Sequence, residues 1–102
     1  MKNISVEELK ARMDAGEPLH VIDVREPAEY AEFNIGATLL PLGQIMGLQI
    51  ESIEDLKDEE VILHCKAGAR SMQAAMMLEQ AGFTNVVNVV GGMNDWRMKF
   101  GG

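Results

Sequence analysis

Apolar positions in this chain fall either into short runs or into longer stretches where they recur every third or fourth residue. The first pattern predicts buried strands and the second predicts helices packed on one side. Ile4 to Gly16 reads as a helix. Ser5 is placed as an N-cap with Glu8 three residues on, Val6, Leu9 and Met13 follow at helical spacing, and Gly16 is a natural stop. Leu19 to Val24, entered after Pro18, reads as a strand. Glu26 to Phe33 suits a short helix, with Pro27 in its first turn, Glu26 and Glu29 near the positive end, and Tyr30 and Phe33 turned inward. Thr38 to Leu40 make a short strand that Pro41 ends.

Gly43 and Gly47 break any long helix between Leu42 and Leu56, leaving one or two short helical turns over the sheet. Asp55 to Glu60 is a charged, solvated turn. Val61, Ile62 and Leu63 are enough for a buried strand and too few for a helix. Met72 to Gln80 is a helix apolar almost all round, its methionines expected as core filler, and Gly82 ends it. Val86 to Val90 is the last strand, and Trp96 anchors a final helix by burial. Strands alternating with helices predict an α/β fold over residues 1–102 as a single domain, with a mainly parallel central sheet and helices on both faces.

In such sheets a site lies beyond the carboxyl ends of the strands. The sequence there is His64-Cys65-Lys66-Ala67-Gly68-Ala69-Arg70-Ser71. A loop leading into a helix start offers unpaired backbone N–H groups and the positive end of the helix dipole, which together receive an anion. A cysteine at that mouth has a lowered pKa and reacts as thiolate. The small residues Ala67, Gly68 and Ala69 let the backbone curl around the sulfur, and Lys66 and Arg70 add positive charge. A free cysteine is also an ordinary buried residue at a strand end. The glycine-containing loop, the two cations and the following helix favour the reactive reading. His64 is directed by strand alternation to the opposite face from Cys65, so it is not expected to serve as a base.

Composition narrows the setting. Of 102 residues, 47% are hydrophobic and 25% charged, as in an ordinary soluble domain. A net charge of −7 argues against nucleic acid and makes the two loop cations more notable. One cysteine permits neither an internal disulfide nor a resolving thiol, and one cysteine with two distant histidines makes no metal site. No membrane span or signal segment is visible, and the expected location is cytoplasmic. No cofactor is expected, and the oligomeric expectation is a monomer or weak dimer.

Cysteine and arginine are separated by four residues. This Cys65-to-Ser71 loop resembles the active-site loop of rhodanese-type sulfurtransferases, whose phosphatase and arsenate reductase relatives have a loop one residue longer. Asp23-Val24-Arg25-Glu26-Pro27 resembles a segment near the start of rhodanese domains, and Gly91-Gly92-Met93-Asn94-Asp95-Trp96 resembles their closing signature. Asn34-Ile35-Gly36-Ala37 loosely resembles a family turn that is one residue longer and carries histidine where Asn34 stands.

The resemblance implies that Cys65 carries sulfur as a persulfide, taken from a small donor such as thiosulfate and passed to a thiol, to cyanide or to an acceptor protein. It implies that the backbone of Lys66, Ala67, Gly68, Ala69, Arg70 and Ser71 holds the charged sulfur, with Arg70 and Lys66 helping to bind the donor. Asp23, Arg25, Gly91, Gly92 and Trp96 are implied as structural support. Two other readings remain: a sulfur carrier or docking module without turnover, and a phosphatase or arsenate reductase of the same fold.

Overall fold

The computed structural model describes residues 1–102. Five strands form one sheet in the order β1-β5-β4-β2-β3, and every pairing is parallel. They are β1 (Lys2–Ile4), β2 (Val21–Asp23), β3 (Thr38–Leu39), β4 (Glu60–His64) and β5 (Asn85–Val89). The helices are α1 (Val6–Asp14), α2 (Pro27–Glu32), α3 (Leu42–Met46), α4 (Ala69–Gln80) and α5 (Gly92–Phe100), with a 3₁₀ turn at Glu51–Leu56.

The central strands β4 and β5 are buried on both faces, as parallel strands covered by helices must be. Alternation sends Val61, Leu63, Cys65 and Val86 into one core with Ala74, Ala75 and Leu78 of α4. It sends Ile62, Val87 and Val89 into a second core with Val6 and Leu9 of α1 and Met93 and Trp96 of α5. Each such aliphatic side chain contributes about 1.5–3 kcal/mol on burial. The β4–β5 pair is therefore the best-anchored part of the molecule, and the chain leaves it at Cys65.

The predicted caps are present. Ser5 Oγ accepts from the Glu8 N–H at 3.1 Å, and Glu8 returns the bond to the Ser5 N–H at 3.2 Å. At the start of α2 the Glu26 N–H donates to Glu29 Oε1 at 2.9 Å. Asn34 ties down the turn before β3: its amide donates to the Tyr30 carbonyl at 3.0 Å and its Oδ1 accepts from the Gly36 N–H at 2.9 Å. Tyr30 and Phe33 are only half-buried, and Tyr30 instead donates its hydroxyl to the Ala37 carbonyl at 2.6 Å.

Four further expectations are corrected. Ile4 closes an edge strand, Lys2–Ile4, with Asn3 opposite Asn88, rather than opening the first helix, which starts at Val6. One buried residue in three, Ile4, is too little pattern to mark it. Glu60 belongs to β4 and takes Arg12 at 2.6 and 3.1 Å, so the charged turn ends before it. The helix after the loop begins at Ala69, not Met72, because Gly68 adopts a left-handed conformation that starts it directly. Met72 and Met76 lie on its solvent side, 41% and 53% exposed, and are not core filler. No helix is long and apolar enough to cross a membrane.

Candidate active site

Cys65 follows the last residue of β4 and is buried. The chain then turns through Lys66 and Ala67 to Gly68, whose φ of 109° strongly favours glycine. That turn points the Gly68 N–H at Cys65 Sγ, 3.0 Å away. Ser71 lies in the first turn of α4, and its hydroxyl reaches the sulfur at 3.5 Å. Burial alone would push the Cys65 thiol up. The Ser71 hydroxyl, once its hydrogen is turned to the sulfur, and the backbone N–H groups of Ser71, Gly68 and Ala67 outweigh it and hold the pKa below the ordinary thiol value. The sulfur thus sits among donors that stabilise negative charge. The arrangement fits a nucleophile and its anionic adduct.

The charged residues are arranged around this centre. Lys66 is exposed. Arg70 is not free: it makes a two-pronged ion pair with Glu29 of α2, at 2.6 and 2.8 Å. That pair holds the Glu29 carboxyl down to about 2, chiefly through the Arg70 hydrogen bonds. Asp23 and Arg25 form a buried ion pair, with Arg25 donating to Asp23 at 2.8 to 3.1 Å and to the Phe33 carbonyl at 2.6 Å. It links the end of β2 to the end of α2. His64 is buried on the other face of β4, and neither ring nitrogen makes a hydrogen bond. Burial lowers its pKa to about 4, against the opposing pull of Asp23.

Gly91 and Gly92 bring the start of α5 against the loop. The Met93 N–H donates to the Cys65 carbonyl at 2.8 Å, and the Asn94 N–H donates to the Lys66 carbonyl at 2.9 Å. The first turn of α5 therefore pins the loop from behind, using donors that a helix start leaves unpaired. Gly92 has φ 53°, and a Cβ there would collide with the Cys65 carbonyl oxygen and the Lys66 backbone. Trp96 is buried and meets Phe100 edge to face at 5.1 Å. Within this site, one small hollow of about 160 Å³ adjoins Lys66, Arg25 and Arg97. The largest cleft, about 380 Å³, opens at the other end of the sheet beside the start of β2 and holds none of the predicted site residues. Size is outweighed here by chemistry, and the loop is the candidate site.

One residue escaped the sequence reading. Asn88 is buried in the interior of β5, and its Oδ1 receives the Ser71 hydroxyl at 2.5 Å. The available signal was an amide in a strand otherwise built of valines, at a position that alternation sends to the core.

A parallel α/β sheet with a cysteine cradled between a strand end and a helix start defines the class, an α/β thiol domain. Among known families, the rhodanese-like domain matches residues 5–99. The chain belongs to that family. It is 42% identical to the putative sulfurtransferase YtwF of Bacillus subtilis over 94% of this chain and 90% of the relative. It is 38% identical over 94% of its length to the putative sulfur carrier protein YrkF of the same organism, of which it spans 51%. A rhodanese-like domain protein from Staphylococcus aureus, solved by crystallography, superposes with a TM-score of 0.83 at 34% identity, covering 94% of this chain and 91% of that one. These relatives support rhodanese-type sulfur transfer.

Proposed function

We propose that residues 1–102 form one sulfurtransferase domain in which Cys65 carries the sulfur. The observation that carries this is the seat of Cys65 Sγ at the start of α4, where the Gly68 N–H donates to it at 3.0 Å and Ser71 Oγ lies 3.5 Å away. The thiolate attacks the outer sulfur of a donor such as thiosulfate. A bond forms between Cys65 Sγ and that sulfur, the sulfur–sulfur bond of the donor breaks, and sulfite leaves with the electron pair. The loop N–H groups then hold the persulfide anion. An acceptor thiolate or cyanide attacks the outer sulfur, and Cys65 leaves as thiolate, ready for another cycle. Lys66 sits at the exposed rim, where it draws the anionic donor in. Arg70 and Glu29 brace the start of α4 against α2. Asp23, Arg25, Gly91, Gly92 and Trp96 hold the walls.

The test is intact mass spectrometry after incubation with thiosulfate without reductant, beside Cys65→Ser. Gain of one sulfur by the parent alone, removed by cyanide with release of thiocyanate, is the expected result. No gain overturns thiosulfate as donor. Gain by both proteins overturns Cys65 as carrier.

A second reading is a carrier that delivers sulfur to a protein thiol, favoured by the similarity to YrkF. Slow cyanide turnover with a long-lived persulfide, discharged by one partner protein, distinguishes it.

A further inference from the structure

The Ser71 hydroxyl has one hydrogen and three acceptors within reach. They are Cys65 Sγ at 3.5 Å, the Gly68 carbonyl at 3.1 Å and Asn88 Oδ1 at 2.5 Å. The shortest contact directs the hydrogen to Asn88 Oδ1. An amide in the interior of β5 lowers stability unless its polar atoms are matched. Asn88 has two partners: Ser71 on α4, and Asn3 on β1, whose Oδ1 accepts from Asn88 Nδ2 at 3.2 Å. Asn3 lies opposite Asn88 in the β1–β5 register. The result is one line of polar groups, Cys65, Ser71, Asn88 and Asn3, running from the sulfur to the sheet edge.

We propose that Asn88 is a positioning residue whose amide decides whether the Ser71 hydroxyl hydrogen points at the Cys65 sulfur. With Oδ1 toward Ser71, as found, the hydroxyl hydrogen points to Asn88 and the Ser71 oxygen presents lone pairs to the sulfur. That suits a protonated thiol, which can donate. A half-turn of the amide places Nδ2 against Ser71 Oγ, and the hydroxyl hydrogen is then free for a thiolate or persulfide anion. Asn3 can make the same half-turn, so both amides stay paired in either arrangement. No bond to hydrogen breaks; only the directions of the hydrogen bonds reverse. The inference rests on Cys65 acting through its thiolate, yet it is tested on the unloaded protein.

The test is the pH dependence of Cys65 alkylation by iodoacetamide, followed by intact mass; Cys65 is the only cysteine. The proteins compared are the parent, Asn88→Leu, Asn88→Asp, Ser71→Ala, and Ser71→Ala combined with Asn88→Leu. Leucine keeps the branched shape and fits the core of β5 but offers no hydrogen bond. The charged groups bordering the loop are the same in parent, Asn88→Leu and both Ser71→Ala proteins: Lys66, Arg70 with Glu29, and Asp23 with Arg25 and His64. Asn88→Leu is expected to move the profile up by about one pH unit, because without Nδ2 to hold the Ser71 oxygen the hydroxyl hydrogen turns to the Gly68 carbonyl, 3.1 Å away, rather than to the sulfur at 3.5 Å. Asn88→Asp, an acceptor only, is expected to hold the hydrogen and move it at least as far. In the Ser71→Ala background, Asn88→Leu is expected to add nothing. A profile for Asn88→Leu that coincides with the parent overturns the proposal. So does a shift of the same size with and without Ser71. Far-ultraviolet circular dichroism checks each fold. If Asn88→Leu does not fold, the same comparison is run with Asn88→Ser, too short to reach Ser71, and the same two results decide. If the parent takes no sulfur from thiosulfate, the functional reading is revised while the alkylation result still judges Asn88.

Discussion

Arg70 faces Glu29 rather than open solvent above the loop, its two guanidinium nitrogens 2.6 and 2.8 Å from the two carboxylate oxygens. The charge that the loop sequence offers to an anionic donor is thus partly neutralised from α2. Glu29→Gln keeps a hydrogen-bonding partner for Arg70 and removes the negative charge. The KM for thiosulfate is expected to fall about threefold at low salt with kcat little changed, and the difference is expected to fade as salt screens it. Steady-state kinetics at two ionic strengths checks this. A KM that does not move would show that the Arg70 charge does not reach the donor.

Cys65→Ser is expected to abolish transfer, since the hydroxyl is neither ionised at neutral pH nor a competent sulfur carrier. Lys66→Ala is expected only to weaken it. Lys66 is exposed, and the donors that lower the Cys65 pKa are the Ser71 hydroxyl and backbone N–H groups. The KM should rise about threefold to tenfold, with kcat within about twofold. Complete loss in both variants would give the lysine a direct part in the chemistry.

The fold and the position of the cysteine loop were legible because each rests on local signals. A three-residue apolar run, a cysteine, a small-residue turn and a helix start lie in unbroken order from Val61 to Ala81. The Ser5–Glu8 cap is equally local. What was not legible depends on partners distant in sequence. Arg70 finds Glu29 41 positions away, and Ser71 finds Asn88 17 positions away. Nothing at either end of those pairs announces the other. The edge strand β1 was hidden because it buries one side only, and the exposed methionines of α4 because methionine suits core and surface alike.

Gly92 is the tightest point behind the loop. Its φ of 53° is in the left-handed region, and a Cβ would strike the Cys65 and Lys66 backbone. Gly92→Ala is expected to cost at least about 2 kcal/mol, read from the midpoint of urea unfolding. It is also expected to slow Cys65 alkylation at pH 7, because the displaced Cys65 carbonyl carries the donor ring with it. Gly82→Ala is the control: Gly82 has φ 101° but nothing within 4 Å of its added Cβ. It should bear the backbone strain alone and leave alkylation unchanged. Equal alkylation rates in the two variants would show that the contact behind the loop does not position the sulfur.

His64 makes folding sensitive to acid. Burial, its largest influence, holds the imidazole pKa at about 4 in the folded protein, well below its ordinary value. The unfolded chain therefore binds a proton as pH falls through about 6.5, before the folded protein does. Stability is fully present above that point and falls as the pH drops, levelling near the folded value of about 4. The loss over this window is on the order of 3 kcal/mol. Because neither ring nitrogen has a hydrogen-bond partner, His64→Leu sacrifices no bond. It is expected to leave stability at pH 7 within about 1 kcal/mol of the parent and to flatten the decline between pH 6.5 and 4. Urea unfolding at a series of pH values separates this from the carboxylates, which act lower: Glu29, held down to about 2 by Arg70, withdraws its contribution only as pH falls from about 4 toward 2. An unchanged slope in His64→Leu would mean that the imidazole is not the group taking up the proton.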